Sequence, residues 1–132
     1  MSQIFVNSEI APLRLVIVHR PDAGIARVSP KRAEELLFDD IVHLPRMQTE
    51  HDVFTKVLKA FLGAENVLET GQLLLEAIQA DDDAKQEMID QIVDYEELPR
   101  AYKKMLLELP DAQLADVLIS GYFAKEDHIL FD

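Results

Sequence analysis

Four histidines and two acidic clusters are the side chains best suited to chemistry in this sequence, and zero cysteines limit what they can do. His43 and His51 are eight positions apart. That puts them on roughly one helical face but about 12 Å from each other, too far to share one metal ion. His19 and His128 stand alone in sequence, and no pair of histidines four apart brackets a glutamate as zinc hydrolases require. No metal site and no cofactor are therefore expected. Paired carboxylates can split their pKa values or hold a hard cation, which draws attention to Asp39-Asp40 and to Asp81-Asp82-Asp83. The Asp81–Asp83 run lacks the spacing of a calcium loop and precedes a helical pattern, so a helix cap and solvated turn is its expected use. Asp39-Asp40 follows the apolar Leu36-Leu37-Phe38; acid/base work and an N-cap for the segment from Ile41 both remain open, with spacing favouring the cap. Ser8, Ser29 and Ser120 have no His and Asp pattern that would make one a nucleophile. The four glycines do not fall at phosphate-cradling intervals.

The elements that would position these residues come from a chain of 132 residues, 48% of them apolar, which is enough for one modest core. No apolar run approaches the roughly 18 residues of a membrane span, and the start lacks the pattern of a signal peptide. A soluble, cytoplasmic protein is expected. Thirteen basic residues against 25 acidic ones give a net charge of −12, which opposes contacts with nucleic acid and with anionic membranes. The imbalance is local. Residues 1–64 hold eight acids and eight bases, whereas residues 65–132 hold 17 acids and five bases.

The first half reads as strand, connection, helix, strand. Leu13–His19 is a β-branched apolar run between Pro12 and Pro21, which suits a strand buried on both faces. Ser29-Pro30 marks a helix start, with Lys31–Leu37 as a short helix. From Pro45 to Leu62, Met47, Phe54, Leu58 and Phe61, with Val53, Val57 and Leu62 beside them, predict a helix with one buried face, and Gly63 is its expected C-cap. Asn66-Val67-Leu68 then fits a brief strand, making a parallel pair with a crossover. The second half predicts four short amphipathic helices over Gly71–Ala80, Asp83–Asp94, Leu98–Leu109 and Asp111–Ser120, with Pro99 and Pro110 near starts and Gly121 as a C-cap. His128–Phe131 resembles a strand that stops at the last residue. The residues alone thus support an α+β chain with an acidic helical half and no chemistry beyond that.

Three ordered stretches of the first half resemble the arginine deiminases of the guanidino-group-modifying (amidinotransferase) superfamily. They are Ser8–Pro21 (SEIAPLRLVIVHRP), Ser29–Asp40 (SPKRAEELLFDD) and Glu50–Val57 (EHDVFTKV). The family opens with a similar series at comparable separations. Ala11-Pro12 departs from its usual glycine, and Asp22-Ala23-Gly24 displaces the glycine expected after Pro21, both at turn positions.

The resemblance implies a pentein-like α/β propeller of ββαβ-type modules. Residues 1–70 would be the first module, 71–122 an inserted four- to five-helix bundle, and 123–132 the start of the next module's strand. The implied reaction is hydrolysis of L-arginine to L-citrulline and ammonia through a Cys-bound intermediate, with a small guanidine as substrate. The implied cysteine, catalytic histidine and guanidinium-binding carboxylates have no counterparts in these residues, so no catalytic residue is assigned and the chain is expected to be inactive alone. One carry-over concerns Leu37, whose family counterpart lies on a loop that closes over arginine and excludes water; Phe38, Asp39 and Asp40 would support that loop. The implied partner is the rest of the same polypeptide, and unfinished strand edges suggest a homo-oligomer or marginal stability. A different class of function, a non-catalytic binding or regulatory module docking a basic partner on its acidic helices, stays open.

Overall fold

The structure, a computed structural model, describes residues 6, 8–26 and 43–121. Two strands and six helices fall within them: β1 (Val16–Val18), α1 (Ala23–Ala26), α2 (Leu44–Leu62), β2 (Val67–Glu69), α3 (Thr70–Ala80), α4 (Asp82–Tyr95), α5 (Arg100–Glu108) and α6 (Asp111–Ser120), with a 3-10 turn at Ala64–Asn66. The chain is therefore α+β and mostly helical. The strands pair in parallel, with Val16 opposite Val67, Ile17 opposite Leu68 and Val18 opposite Glu69. A parallel pair needs a crossover, and α2 lies on it and packs on β2.

Local signals explain where these elements begin and end. The His43 ring accepts the Arg46 N–H at 3.4 Å at the start of α2, where Pro45 costs no hydrogen bond. Gly63 ends the helix at φ 87°, its N–H donating to the Lys59 carbonyl at 3.0 Å. The Asp81 carboxylate accepts the N–H groups of Asp83 and Ala84 at 2.9 and 3.1 Å, which makes it the cap of α4 that its position suggested. Pro99 and Pro110 occupy the N-cap positions of α5 and α6, and Gly121 closes α6 at φ 76°.

The four helices α3 to α6 form the core. Ile78, Ile89, Leu106 and Leu114 are fully buried together with Val93 and Ala115, and Leu74, Leu75, Met88, Leu98 and Met105 pack around them. Each buried residue lies on the apolar stripe of its own helix, so the stripes meet as the 3.6-residue period requires. Lys85 to Asp111 at 2.7 Å ties α4 to α6, and Lys103 pairs with Asp90 between α5 and α4. The bundle is joined to the sheet without a linker. Glu69 is both the last residue of β2 and the N-cap of α3, accepting the Gln72 N–H at 3.1 Å, and the Thr70 hydroxyl donates to the Val18 carbonyl at 3.1 Å.

Three expectations need correction. The strand predicted over Leu13–His19 is only three residues long and is buried on one face: Val18 and Val67 are buried, whereas Ile17 is 58% exposed and Leu13 and Leu15 are exposed too. Among the described residues the sheet has two strands, and on its second face Ile17 is exposed while its partner Leu68 is half-buried. The helix predicted from Pro45 has no fully buried residue. Met47, Leu58 and Leu62 turn partly inward, while Val53, Phe54, Val57 and Phe61, on the adjoining arc of the same broad apolar stripe, are exposed. Finally, α5 starts at Arg100, two residues later than predicted, and α1 was not anticipated. Four residues are too few to show a period. The helix expected over Lys31–Leu37 and the strand over His128–Phe131 lie outside the described residues.

Candidate functional site

The polar side chains of the first half converge at the carboxyl ends of β1 and β2, the end of a parallel sheet where ligands of α/β proteins bind. The chain leaves β1 as His19-Arg20-Pro21-Asp22 and leaves β2 directly into α3. These turns, the first residue of α1, Gln48 of α2 and the last turn of α6 surround a cleft of about 640 Å³. His19 stands between two carboxylates, with Nε2 3.1 Å from Asp22 and Nδ1 3.5 Å from Glu69. Arg20 meets Asp52 of α2 through two parallel contacts, Nε to Oδ1 at 2.8 Å and a terminal nitrogen to Oδ2 at 3.1 Å. The Arg20 backbone N–H also donates to Glu69 at 3.2 Å. Gln48 donates to the Pro21 carbonyl at 2.9 Å, and Asp22 accepts the Gly24 N–H at 2.7 Å.

The paired charges act on each other as the geometry requires. The hydrogen bond from Arg20 holds the Asp52 carboxyl below the usual carboxylate range, and the same bond holds the guanidinium above its usual value. Both groups are solvent-exposed, so the pair contributes orientation more than energy. It fastens the turn after β1 to the middle of α2. Most polar groups of the cleft thus satisfy one another; Asp116 of α6 adds a further carboxylate to the wall, and Ser120 lines it at the end of the same helix. Among the described residues no three His, Asp or Glu side chains are placed to hold a metal ion.

Several residues singled out from the sequence are not brought together here. His43 is a helix cap, and the His51 ring contacts the Thr55 hydroxyl at 3.3 Å and stands edge-on to Phe54 at 6.4 Å. Leu37, Phe38, Asp39 and Asp40 lie outside the described residues, as does His128. Sequence reasoning missed Arg20, Asp52, Gln48 and Glu69. Arg20 and Asp52 did stand inside the stretches Ser8–Pro21 and Glu50–Val57, but 32 residues separate them and no local period links them.

The family profile described as arginine deiminase matches residues 34–129, well over half of the chain. The chain belongs to the arginine deiminase family. Among its curated relatives are the proteins named "Arginine deiminase" of Mycobacterium tuberculosis (strain H37Rv) and Mycobacterium bovis (strain BCG Pasteur). Both are 40% identical over 124 residues, covering 91% of this chain and 30% of the relative. The Mycobacterium avium (strain 104) protein of the same name is 37% identical over 128 residues, covering 94% of this chain and 31% of the relative. The chain thus spans about 30% of the length of the curated relatives it matches. No helix among the described residues is long and apolar enough to cross a membrane.

Proposed function

We propose that this chain is the N-terminal part of an arginine deiminase-like hydrolase of the cytoplasm, built as the first module of a pentein-like propeller with its helical insertion. In the whole protein a cysteine thiolate would attack the guanidinium carbon of L-arginine. Ammonia leaves, a thiouronium-like intermediate forms, and water releases L-citrulline and the free thiol. The observation that carries this reading is the family membership over residues 34–129, combined with relatives about three times as long and with zero cysteines in these 132 residues. A reaction that needs a sulfur nucleophile must take it from polypeptide other than this.

The role of these residues is then to frame the substrate end of the first module. Leu37, supported by Phe38, Asp39 and Asp40, would form the loop beside the guanidine and keep water from the reacting carbon. Support comes from the matched region, which includes all four positions, and from the two described elements that the segment joins: α1, which lines the cleft through Ala23, and α2, which lines it through Gln48. A second reading rests on the 17 acids against five bases in residues 65–132, which would suit a non-catalytic module that binds a basic partner.

The test is citrulline formation from arginine by two proteins: the 132-residue chain alone, and a chimera in which this chain replaces the matched region of a curated relative. The expected result is none from the first and turnover by the second. Turnover by the chain alone would place the nucleophile wrongly, and a folded chimera without turnover would favour the binding module.

A further inference from the structure

We infer that Arg20 is the positioning residue of the cleft: its forked bond to Asp52 and its backbone bond to Glu69 hold the walls in place for the guanidine chemistry proposed above. The inference rests on that reading and adds which residue sets the geometry of the site. Arg20 bonds into two elements besides its own turn. Nε and a terminal nitrogen reach the two oxygens of Asp52, in the middle of α2, at 2.8 and 3.1 Å. The backbone N–H donates at 3.2 Å to one oxygen of Glu69, whose other oxygen accepts the Gln72 N–H and caps α3. Two parallel bonds to one carboxylate fix direction as well as distance, which the point charge of a lysine does not.

The elements joined in this way are the ones that line the cleft. Gln48 stands one turn before Asp52 on the same face of α2, lines the cleft and donates to the Pro21 carbonyl at 2.9 Å. Glu69 and Gly71 line it from the junction of β2 and α3. Packing seats the remaining wall. A side-chain carbon added at Gly24 would come 3.6 Å from the Ser120 Cα, and one at Gly71 would come 3.7 Å from Ile119, so α1 and the start of α3 rest against the last turn of α6. The fork takes no part in the core, since the buried cluster lies in α3 to α6 and the Arg20 and Asp52 side chains are 46% and 44% exposed. An exposed ion pair adds little to stability, so what the fork supplies is orientation. Its loss moves a wall of the cleft without unfolding the chain.

The experiment has two arms, each with Arg20→Leu, Arg20→Lys and Asp52→Leu made separately. In the 132-residue chain, amide hydrogen exchange reads the residue-20 amide and the Gly24 amide, which Asp22 accepts at 2.7 Å in the same turn. Their protection should fall roughly twofold to fivefold, with Tm within about 2 °C of the parent. In the chimera with a curated relative, each variant should raise KM for arginine roughly threefold to tenfold and leave kcat within about twofold, because a wall contact serves the ground and transition states alike. The double variant Arg20→Leu with Asp52→Leu should be no worse than either single one, since both remove the same link. Exchanging the pair, Arg20→Asp with Asp52→Arg, should recover most of the loss in KM. An active chimera whose KM these variants leave unchanged overturns the inference whatever the exchange shows, and so does a fall in kcat at constant KM. Arg20→Lys behaving like the parent also overturns it, by reducing the fork to its charge. Lowered protection in the chain, beside a folded parent chimera that makes no citrulline, supports the hold on the cleft and refutes only the enzymatic reading.

Discussion

Truncating Leu106 to alanine should destabilise the chain several times more than truncating Phe61, although phenylalanine is the larger side chain. Leu106 is 0% exposed at the centre of the bundle, among Ile78, Ile89 and Leu114. Removing its branched end forfeits the burial of the lost carbons and leaves a cavity that neighbours on three other helices fill only partly, a combination that costs about 3–5 kcal/mol. Phe61 is 85% exposed, so its removal takes little apolar surface out of contact with protein, and a change within about 0.5 kcal/mol is expected. A domain of this kind has only about 5–15 kcal/mol of stability in total, so the first substitution removes a large share of it. Urea unfolding followed by far-ultraviolet circular dichroism measures both. With a denaturant slope of about 1–3 kcal/mol per molar, Leu106→Ala should lower the midpoint by roughly 1–5 M and Phe61→Ala by a few tenths. Comparable losses from the two variants would refute the assignment of the core to the bundle and of a bare surface to α2. A loss below about 1 kcal/mol for Leu106→Ala would show that the four helices do not pack as one unit.

Asp81→Ala removes the side chain that accepts two N–H groups at the start of α4 and should cost about 1 kcal/mol, read as a fall in Tm of a few degrees. Gly63→Ala places a side chain at φ 87° and ψ 146°, where its Cβ would also come 2.5 Å from the Glu65 carboxylate; a loss of about 1–3 kcal/mol in the same urea experiment is expected. The Arg20–Asp52 link depends on pH in a direction fixed by the depressed Asp52 carboxyl. Its folded pKa lies below the unfolded value, so its stabilisation is present above the ordinary carboxylate range and fades as pH falls through the folded value. Asp52→Asn should therefore flatten part of the acid limb of a Tm-against-pH curve and leave the neutral-to-alkaline part parallel to the parent's. An unchanged acid limb would show that the contact does not persist in solution.

Much of the helical half was legible from the residues alone because its determinants are local. The stripe of each helix has the 3.6-residue period, Asp81 can cap only the helix that follows it, and Gly63 and Gly121 stand where a positive φ ends a helix. The parallel pairing of the strands was equally readable, since a helix between two short apolar runs leaves little alternative. The family, too, was written in three ordered stretches of the first half, and the profile match over residues 34–129 confirms it.

What only the tertiary structure decided is which apolar groups are covered and which polar groups meet. Period tells that Phe54 and Phe61 share an arc of α2 with Val57, but not that this arc faces water while the adjoining Met47 and Leu62 turn inward; that depends on where the sheet lies, which is a long-range fact. Arg20 and Asp52 are likewise 32 positions apart, and no local rule joins them until the crossover folds α2 back over the strands. Residue type and spacing determine elements because helices and caps are made by neighbours in sequence. Surfaces and charge pairs are made by neighbours in space, and those exist only once the chain has closed.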